Sequence, residues 1–239
     1  MKSLLPIAGA AGVFLAASAG TMSLALADSP HSITANIGVV SNYVWRGVTQ
    51  TDDKPAVQGG LDYAHESGFS AGTWLSNIDF GEDEFGDSGD ESVEIDFYAG
   101  YDFSLGEDIS LGLSTIYYAF PNDNLDADFW EIGISGGYKW FTLGIQYTVW
   151  NGDDNDDFAF EQGDLYYYGS AEFELPYEIG LGLRVGYYDF DTAEDYTNWG
   201  VSISKAAGDF GTFSLNYDQI DGDDYDTDAR FWVGWLKEF

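Results

Sequence analysis

Hydrophobic and polar residues alternate along most of the chain beyond residue 30. In 92–103 the odd positions carry Val, Ile, Phe, Ala, Tyr and Phe, whereas the even positions carry Ser, Glu, Asp, Tyr, Gly and Asp. The same period of two recurs in 32–46, 109–118, 141–150 and 179–188. This period is typical of strands with one apolar and one polar face. It predicts an all-β fold but not which face is buried, because the strands of soluble sandwiches alternate as well.

The lengths of the connections distinguish these two architectures. Connections after the odd-numbered strands are long and those after the even-numbered strands are short, which is the layout of an outer-membrane barrel. We therefore predict a membrane-spanning up-and-down antiparallel β-barrel with long acidic extracellular loops and short periplasmic turns. Twelve strands are predicted, at 32–45, 56–64, 69–77, 92–103, 109–118, 129–139, 141–150, 165–173, 179–188, 196–204, 211–217 and 229–239.

Aromatic residues are frequent near both predicted ends of the strands, as expected for the two interfaces of a membrane. These two belts orient the barrel with its termini in the periplasm. The residues assigned to the belt at the long loops are Tyr43, Trp45, Tyr117, Trp150, Tyr166, Tyr187, Tyr196, Trp199, Tyr217 and Phe231.

The first 27 residues have the features of a secretory signal. They contain Lys2, a small and apolar middle, and an Ala-Leu-Ala end at 25–27. Such a segment is removed on export. We expect residues 1–27 to be a cleaved signal peptide and 28–239 to form a single barrel domain in the outer membrane of a Gram-negative bacterium.

Composition narrows the range of partners. The net charge of −34 disfavours binding to nucleic acid phosphates and favours cations. The chain has no cysteine, and His31 and His65 lie before the first strand and in a short turn. Since no nucleophile with a nearby base is evident, we expect no enzymatic activity.

Three stretches resemble a known family. They are "SNYVWRGVTQTDDKPAVQGGLDY" (41–63), "GFSAGTWLSNIDFG" (68–81) and "EIDFYAGY" (94–101). Together they are similar to the TorF-type proteins, which are described as porins and also called the Gcw_chp family of Gram-negative proteins of unknown function. The alternate aromatic and apolar residues that end in Phe239 resemble the terminus of assembled barrels, although Lys237 departs from that pattern. The resemblance implies a pore and carries over no catalytic residue.

The predicted inner face of the barrel carries charges of both signs. They suit either a wet constriction, in which arginines face carboxylates, or ion pairs that plug a narrow barrel. Inward-facing glycines tilt the prediction towards a narrow pore, although glycine also permits tight barrel curvature. The candidate pore-lining residues are Arg46, Asp62, Glu94, Asp96, Asp102, Glu131, Lys139, Glu172, Arg184 and Arg230.

The predicted outer loops are rich in carboxylates, with 26 of the 42 acidic residues in loops two to six. These oxygens could hold Ca²⁺ or Mg²⁺ weakly, or could simply hydrate the surface. The spacing in 153–164 imitates an EF-hand, but Phe158 occupies the position at which the turn requires glycine. No tightly bound cofactor is expected. The weak metal-ligand candidates are Asp153, Asp157, Asp164, Asp224, Asp226 and Asp228.

Taken together, these patterns predict an outer-membrane porin for small hydrophilic solutes, with cations favoured by an acidic mouth. Its surroundings would be outer-membrane lipid and lipopolysaccharide. The alternative is a non-conducting structural or binding barrel whose acidic loops hold divalent cations or surface partners. The sequence does not indicate an oligomeric state.

Overall fold

The chain folds into a closed antiparallel barrel of twelve strands. The structure is a computed structural model and describes residues 29–80, 92–106, 108–121, 127–152, 160–223 and 225–239. The wall strands are β1 (His31–Val40), β4 (Ala56–His65), β5 (Phe69–Asn77), β6 (Val93–Leu105), β7 (Ile109–Ala119), β8 (Phe129–Tyr138), β9 (Phe141–Asn151), β10 (Leu165–Leu175), β11 (Ile179–Asp189), β12 (Tyr196–Ala206), β13 (Thr212–Asp221) and β14 (Arg230–Glu238). Two short strands, β2 (Val44–Trp45) and β3 (Val48–Thr49), form a separate hairpin.

Each wall strand pairs with its neighbour in sequence, and β1 pairs with β14 to close the barrel. Phe239 continues this seam, because its N–H donates to Ala35 O at 2.8 Å. The twelve predicted strands and the closed antiparallel topology are confirmed. A single 3-10 turn (Gly208–Phe210) lies between β12 and β13, and no helix of the described residues is long and apolar enough to cross a membrane.

The barrel is apolar outside, and its interior carries both polar side chains and a cluster of buried aromatic side chains. Outward side chains such as Leu143 and Ile33 are 70% and 62% exposed. Polar side chains such as Gln58, Gln146 and Asn216 are buried on the inner wall. Because exposed apolar surface of this extent is costly in water, the outer face is suited to lipid.

Strand β8 exposes its even-numbered apolar residues, whereas its neighbours β7 and β9 expose mainly odd-numbered ones. Trp130, Ile132 and Ile134 all point outward. A β-bulge lies at the long-loop end of β8 and β9: Trp130 pairs with Trp150, whereas Glu131 pairs with Thr148, so that Val149 is the extra residue. The bulge moves Trp150 to the outer face, where simple alternation had placed Val149.

The predicted aromatic belt at the long-loop end is only partly present. Tyr43, Trp45, Tyr166 and Tyr196 are at most 9% exposed and lie inside the barrel. They belong to a buried cluster that also contains Tyr118 and Tyr188. The sequence assigned these residues by their distance from the strand end, which does not specify the face on which a ring lies. On the outer face Tyr117 and Trp150 stack at 6.0 Å, and Tyr217 packs against Phe231 at 5.1 Å.

Candidate functional site

The first long connection folds into the barrel interior. Strand β1 was predicted to continue to residue 45, but it ends at Val40, and residues 41–55 turn inward as what we call the inserted segment. A compact hydrogen-bond network holds this segment together. Asn42 Oδ1 accepts from Thr49 Oγ1 at 2.7 Å and from Thr51 Oγ1 at 3.2 Å, and the N–H of Gln50 donates to Tyr43 O at 2.7 Å.

The tip of the inserted segment packs against the inner face of β12 and β13. Arg46 and Gly47 have φ of 46° and 88°, which lie in the left-handed region. A Cβ at Gly47 would lie against Ile220 and 2.8 Å from Asn198 Cβ, so glycine is required here for both conformation and space. The segment therefore crosses the lumen near its long-loop end.

Arg46 forms a two-pronged ion pair with Glu131 on the barrel wall. Its Nη1 and Nη2 donate to Glu131 Oε1 and Oε2 at 2.7 and 2.6 Å. The Arg46 side chain is 9% exposed and the Glu131 side chain 1%. Because removal of one partner would leave a buried charge without compensation, this pair fixes the tip in place.

Aromatic rings enclose the same guanidinium group. The Cζ atom of Arg46 lies 4.2, 4.1 and 5.0 Å from the ring centroids of Trp45, Tyr166 and Tyr188. Contacts of this length are favourable, more so where water is excluded. Arg46 was predicted to face the lumen from the wall; the structure places it in the lumen, but on the inserted segment.

A second ion pair lies on the inner wall. Arg184 donates to Asp218 through Nε at 3.1 Å and also through Nη2, and Trp232 Nε1 donates to the other carboxylate oxygen at 2.8 Å. Gly200 makes room for this arrangement, since a Cβ there would lie 2.6 Å from Arg184 Cζ. Arg184 is thus held flat against the wall rather than extended across the lumen.

Arg230 connects two loops at the long-loop end. Its Nη2 donates to Asp226 Oδ2 at 2.8 Å, and its Nε lies 3.5 Å from Asp53 Oδ1. Asp53 belongs to the inserted segment and also accepts from Asn42 Nδ2 at 2.6 Å. The predicted inward position of Arg230 therefore serves to join the last loop to the inserted segment.

The remaining predicted carboxylates on β4 and β6 lie on the inner wall. Asp62 accepts from the hydroxyl of Tyr98 and from Asn36 Nδ2 at 3.3 Å. Glu94 and Asp96 are 3% and 4% exposed, and Glu94 Oε1 accepts from the Tyr43 hydroxyl at 3.2 Å. These side chains line the interior from the inserted segment towards the opposite end.

Three further candidates lie towards the end of the barrel with the short turns. Asp102 is on β6 and pairs with Gly112 of β7. A Cβ added at Gly112 would lie 3.0 Å from Asp102 Oδ1, so the two residues share one face of the wall. Glu172 on β10 is exposed to water. The prediction that Lys139 faces the lumen requires correction: it lies in the exposed turn between β8 and β9 with φ of 56°, and its Nζ is 5.3 Å from the Tyr138 ring. The strand ends at Tyr138, so the alternation no longer determines where Lys139 points.

The metal-ligand candidates do not converge in the part of the chain that the structure describes. Asp153, Asp157 and Asp224 lie outside the described residues. Asp226 is paired with Arg230, and the exposed Asp228 donates its N–H to Asp226 Oδ1 at 3.0 Å. Within the described ranges, no three His, Asp or Glu side chains form a metal-binding group.

Asp164 has a structural role instead. It is 1% exposed, and its Oδ1 and Oδ2 each accept a backbone N–H at 2.8 Å, from Asp191 and Glu161. Burial raises the pKa of Asp164 to about 6, although the two N–H donors oppose this effect. Asp128 and Asp195 bridge their own loops in the same way, through the N–H groups of Phe120 at 2.7 Å and Phe190 at 3.0 Å. Several loop carboxylates therefore stabilise the loops by accepting hydrogen bonds from backbone N–H groups.

Sequence reasoning missed several residues of the site. Asp218 was assigned to the last loop because the strand was predicted to end at 217, but β13 continues to Asp221. Extending the alternation of Ser214 and Asn216 by two residues would have placed Asp218 on the inner wall. For the inward-facing rings of Tyr118, Tyr188 and Trp232, parity was again the available signal, but aromatic residues were interpreted by their distance from the membrane interface.

Two cavities border the inserted segment. The inner cavity, about 90 Å³, is lined by Arg46, Arg184, Gln146, Tyr168 and Ser170. The outer cavity, about 270 Å³, lies towards the long loops and is lined mainly by aromatic rings.

This closed barrel, with its apolar exterior, polar inner wall and infolded first connection, defines a protein of the outer-membrane barrel class. The chain belongs to the Gcw_chp family, described as bacterial proteins of unknown function, which it matches over residues 24–233. The Gcw_chp resemblance of the sequence is thereby confirmed, whereas the TorF-type designation stays a prediction. No curated protein matches the sequence.

Solved structures of similar fold are outer-membrane porins and channels. The KdgM porin has a TM-score of 0.58 at 8% identity, over 86% of this chain and 99% of that chain. A KdgM porin in complex with disordered oligogalacturonate gives 0.55 at 9% identity, over 87% and 98%. The COG4313 outer membrane channel from Pseudomonas putida F1 gives 0.50 at 15% identity, over 88% and 96%. At these identities the likeness concerns the fold.

Proposed function

We propose that this protein is an outer-membrane porin that passes small hydrophilic solutes through a narrow lumen. The observation that carries the proposal is the row of polar side chains on the inner wall of a closed barrel whose outer face is apolar. A wall of this kind provides hydrogen-bonding groups to hydrated solutes, while the outer face suits lipid. The fold shared with porins and channels supports the same conclusion.

The inserted segment forms the constriction of this channel. It brings Arg46 against Glu131 in the lumen and leaves the half of the barrel beyond it lined by polar and small residues. Selectivity would therefore be set by the segment and by the wall residues that face it. Because Arg46 and Arg184 are both paired with carboxylates, little free positive charge is available to attract anions.

The acidic loops confer a preference for cations. A rim of carboxylates raises the local concentration of cations and repels anions. The same repulsion argues against a polyanion such as the oligogalacturonate found with KdgM. Passage of small cations and neutral solutes is the expectation for this chain, with the barrel embedded in outer-membrane lipid.

Conductance in a planar bilayer tests the proposal. The purified barrel should give discrete current steps in KCl, and a KCl gradient should give a reversal potential on the cation-selective side. Current steps without cation preference would contradict the proposed selectivity but would support the pore. If a correctly folded barrel gives no current steps, the proposed porin function is wrong.

A second function is favoured by one observation. In the long-loop half of the barrel, the inserted segment packs into a buried cluster that includes Tyr43, Trp45, Trp74 and Tyr188. Such packing suits a non-conducting structural or binding barrel that acts through its loops. The two functions differ in conductance, since the binding barrel would give none and would lose ligand or surface binding when the loops are changed.

A further inference from the structure

The outer cavity has the composition of a ligand site rather than of a water channel. Nine of its thirteen lining residues are aromatic, and Trp45, Phe129 and Tyr196 are among those at most 5% exposed. Phe160 packs against Trp45 at 5.4 Å and against Phe129 at 4.8 Å. A space of about 270 Å³ between such rings suits a small organic molecule.

One acidic side chain enters this aromatic cavity. Glu94 is 3% exposed and lines the cavity, and its Oε2 has no hydrogen-bond partner among the described residues. Asp96, two positions further along the inner face of β6, has an unpartnered Oδ1 as well. Buried polar atoms without partners are rare and costly, so each one requires an explanation.

The buried charges near the outer cavity also favour a cation as its ligand. Three buried carboxylates, those of Glu94, Asp96 and Glu131, lie in this part of the interior, and Arg46 compensates Glu131. Neither Glu94 nor Asp96 takes part in an ion pair of the described residues, although their two carboxyl groups lie within hydrogen-bonding reach of each other. Burial of an uncompensated charge costs several kcal/mol, by the order of magnitude known for such groups, so a bound cation would be strongly favoured.

We propose that the outer cavity binds a small organic cation, with its charge beside Glu94 and its alkyl groups against the aromatic rings. Aromatic faces attract cations, and weakly hydrated ammonium groups lose little on entering such a site. Ca²⁺ and Mg²⁺ instead require several oxygen ligands, which the cavity does not supply. Anions are disfavoured by Glu94 itself. The inference goes beyond porin activity, because binding in the cavity requires no conduction.

Isothermal titration calorimetry tests this inference on the barrel purified from outer membranes in detergent. Choline is the probe, and 3,3-dimethylbutan-1-ol, which has the same shape without the charge, is its control ligand. Glu94→Gln removes the charge but retains an oxygen that can accept from Tyr43. Glu66→Gln, in the exposed turn between β4 and β5, is the control variant.

Choline should bind to the native barrel and to Glu66→Gln with equal affinity, and roughly tenfold more weakly to Glu94→Gln. The neutral alcohol should bind at least about tenfold more weakly than choline. Equal affinity for choline and the alcohol would overturn the inference, because the cavity would then select for shape alone. Absence of choline binding to the native barrel would also overturn it, and would indicate that Glu94 and Asp96 are both protonated. Conductance measured in parallel shows separately whether the barrel is a pore.

Discussion

Arg46 of the inserted segment and Glu131 of strand β8 face each other as a two-pronged ion pair, with N to O distances of 2.7 and 2.6 Å. The residues are 85 positions apart in the chain, and the pair joins an infolded loop to the opposite part of the wall. A buried pair of this kind contributes more to the specificity of an arrangement than to its net stability. We therefore regard it as the contact that fixes the segment across the lumen.

Loss of one partner of this pair should be more costly than loss of both. Arg46→Met and Glu131→Gln each leave one buried charge unpaired, and each should lower the free energy of unfolding by about 3–5 kcal/mol. The double variant should lose less than the sum of the two, because no unpaired charge remains. Urea titrations followed by tryptophan fluorescence provide the comparison. Additive losses below about 1 kcal/mol each would show that the pair behaves as an exposed surface contact.

Gly47→Ala should displace the inserted segment. The added methyl group would lie against Ile220 and 2.8 Å from Asn198 Cβ, in addition to the cost of its φ of 88°. We expect a lower unfolding midpoint together with a higher single-channel conductance. Gly106→Ala is the matched control, because Gly106 has φ of 81° but nothing within 4 Å of the added Cβ. The free energy of unfolding of the control should fall only by the cost of a left-handed alanine, about 1–2 kcal/mol, and its conductance should not change. Equal effects of the two variants would contradict the packing argument.

The pKa of Asp164, raised by burial to about 6, predicts a pH-dependent stability. A carboxyl group with a raised folded pKa favours folding below its unfolded pKa, near 3.8, and this contribution is lost as the pH rises through about 6. Relative to Asp164→Asn, the native barrel should therefore lose stability between pH 4 and pH 7.5. Unfolding midpoints of the two proteins at both pH values test the sign. A difference between them that is independent of pH would show that Asp164 does not titrate in this range.

Neutralisation of the acidic loops should reduce cation preference without closing the pore. One variant changes four loop residues to Asn together: Asp153, Asp154, Asp156 and Asp157. It keeps Asp164, whose carboxylate accepts backbone hydrogen bonds that hold the same loop. A matched set comprises Asp221 at the end of β13 with Asp223 and Asp228 in the last loop, and it leaves Asp226 and its contact with Arg230 in place. The reversal potential under a KCl gradient should move towards zero and should do so most at low salt. An unchanged potential would place cation selectivity, if present, in the lumen.

The barrel itself could be predicted from the sequence because the period of two identifies the strands and separates their two faces, while the alternation of long and short connections identifies the barrel. The outward positions of Trp130, Ile132 and Ile134 follow from the parity of β8 alone. Strand ends were less accurate, since hydrogen bonding and not composition decides where a strand stops. Asp218 was assigned to a loop for this reason, so the sequence did not predict that it pairs with Arg184 on the inner wall.

The inserted segment could not be predicted from the sequence alone. Val44 and Trp45 continue the apolar pattern of β1, so alternation extends the strand past the point at which the chain leaves the wall. Its anchors, Glu131, Asn198 and Ile220, are distant in sequence and are brought close only when the barrel closes. Arg46 and Gly47 adjacent to Trp45 were the local signal of a turn, but a turn does not specify the direction in which it folds.

Single-channel conductance of the native barrel and of a variant without the inserted segment tests the central claim most directly. Val40 pairs with Ala56, so residues 42–54 can be replaced by a Gly-Ser-Gly-Gly turn without disturbing the wall. We predict small current steps for the native barrel and several-fold larger steps for the variant, because the segment is the narrowest part of the channel. Equal conductance of the two proteins, or no conductance from the folded variant, would contradict the account.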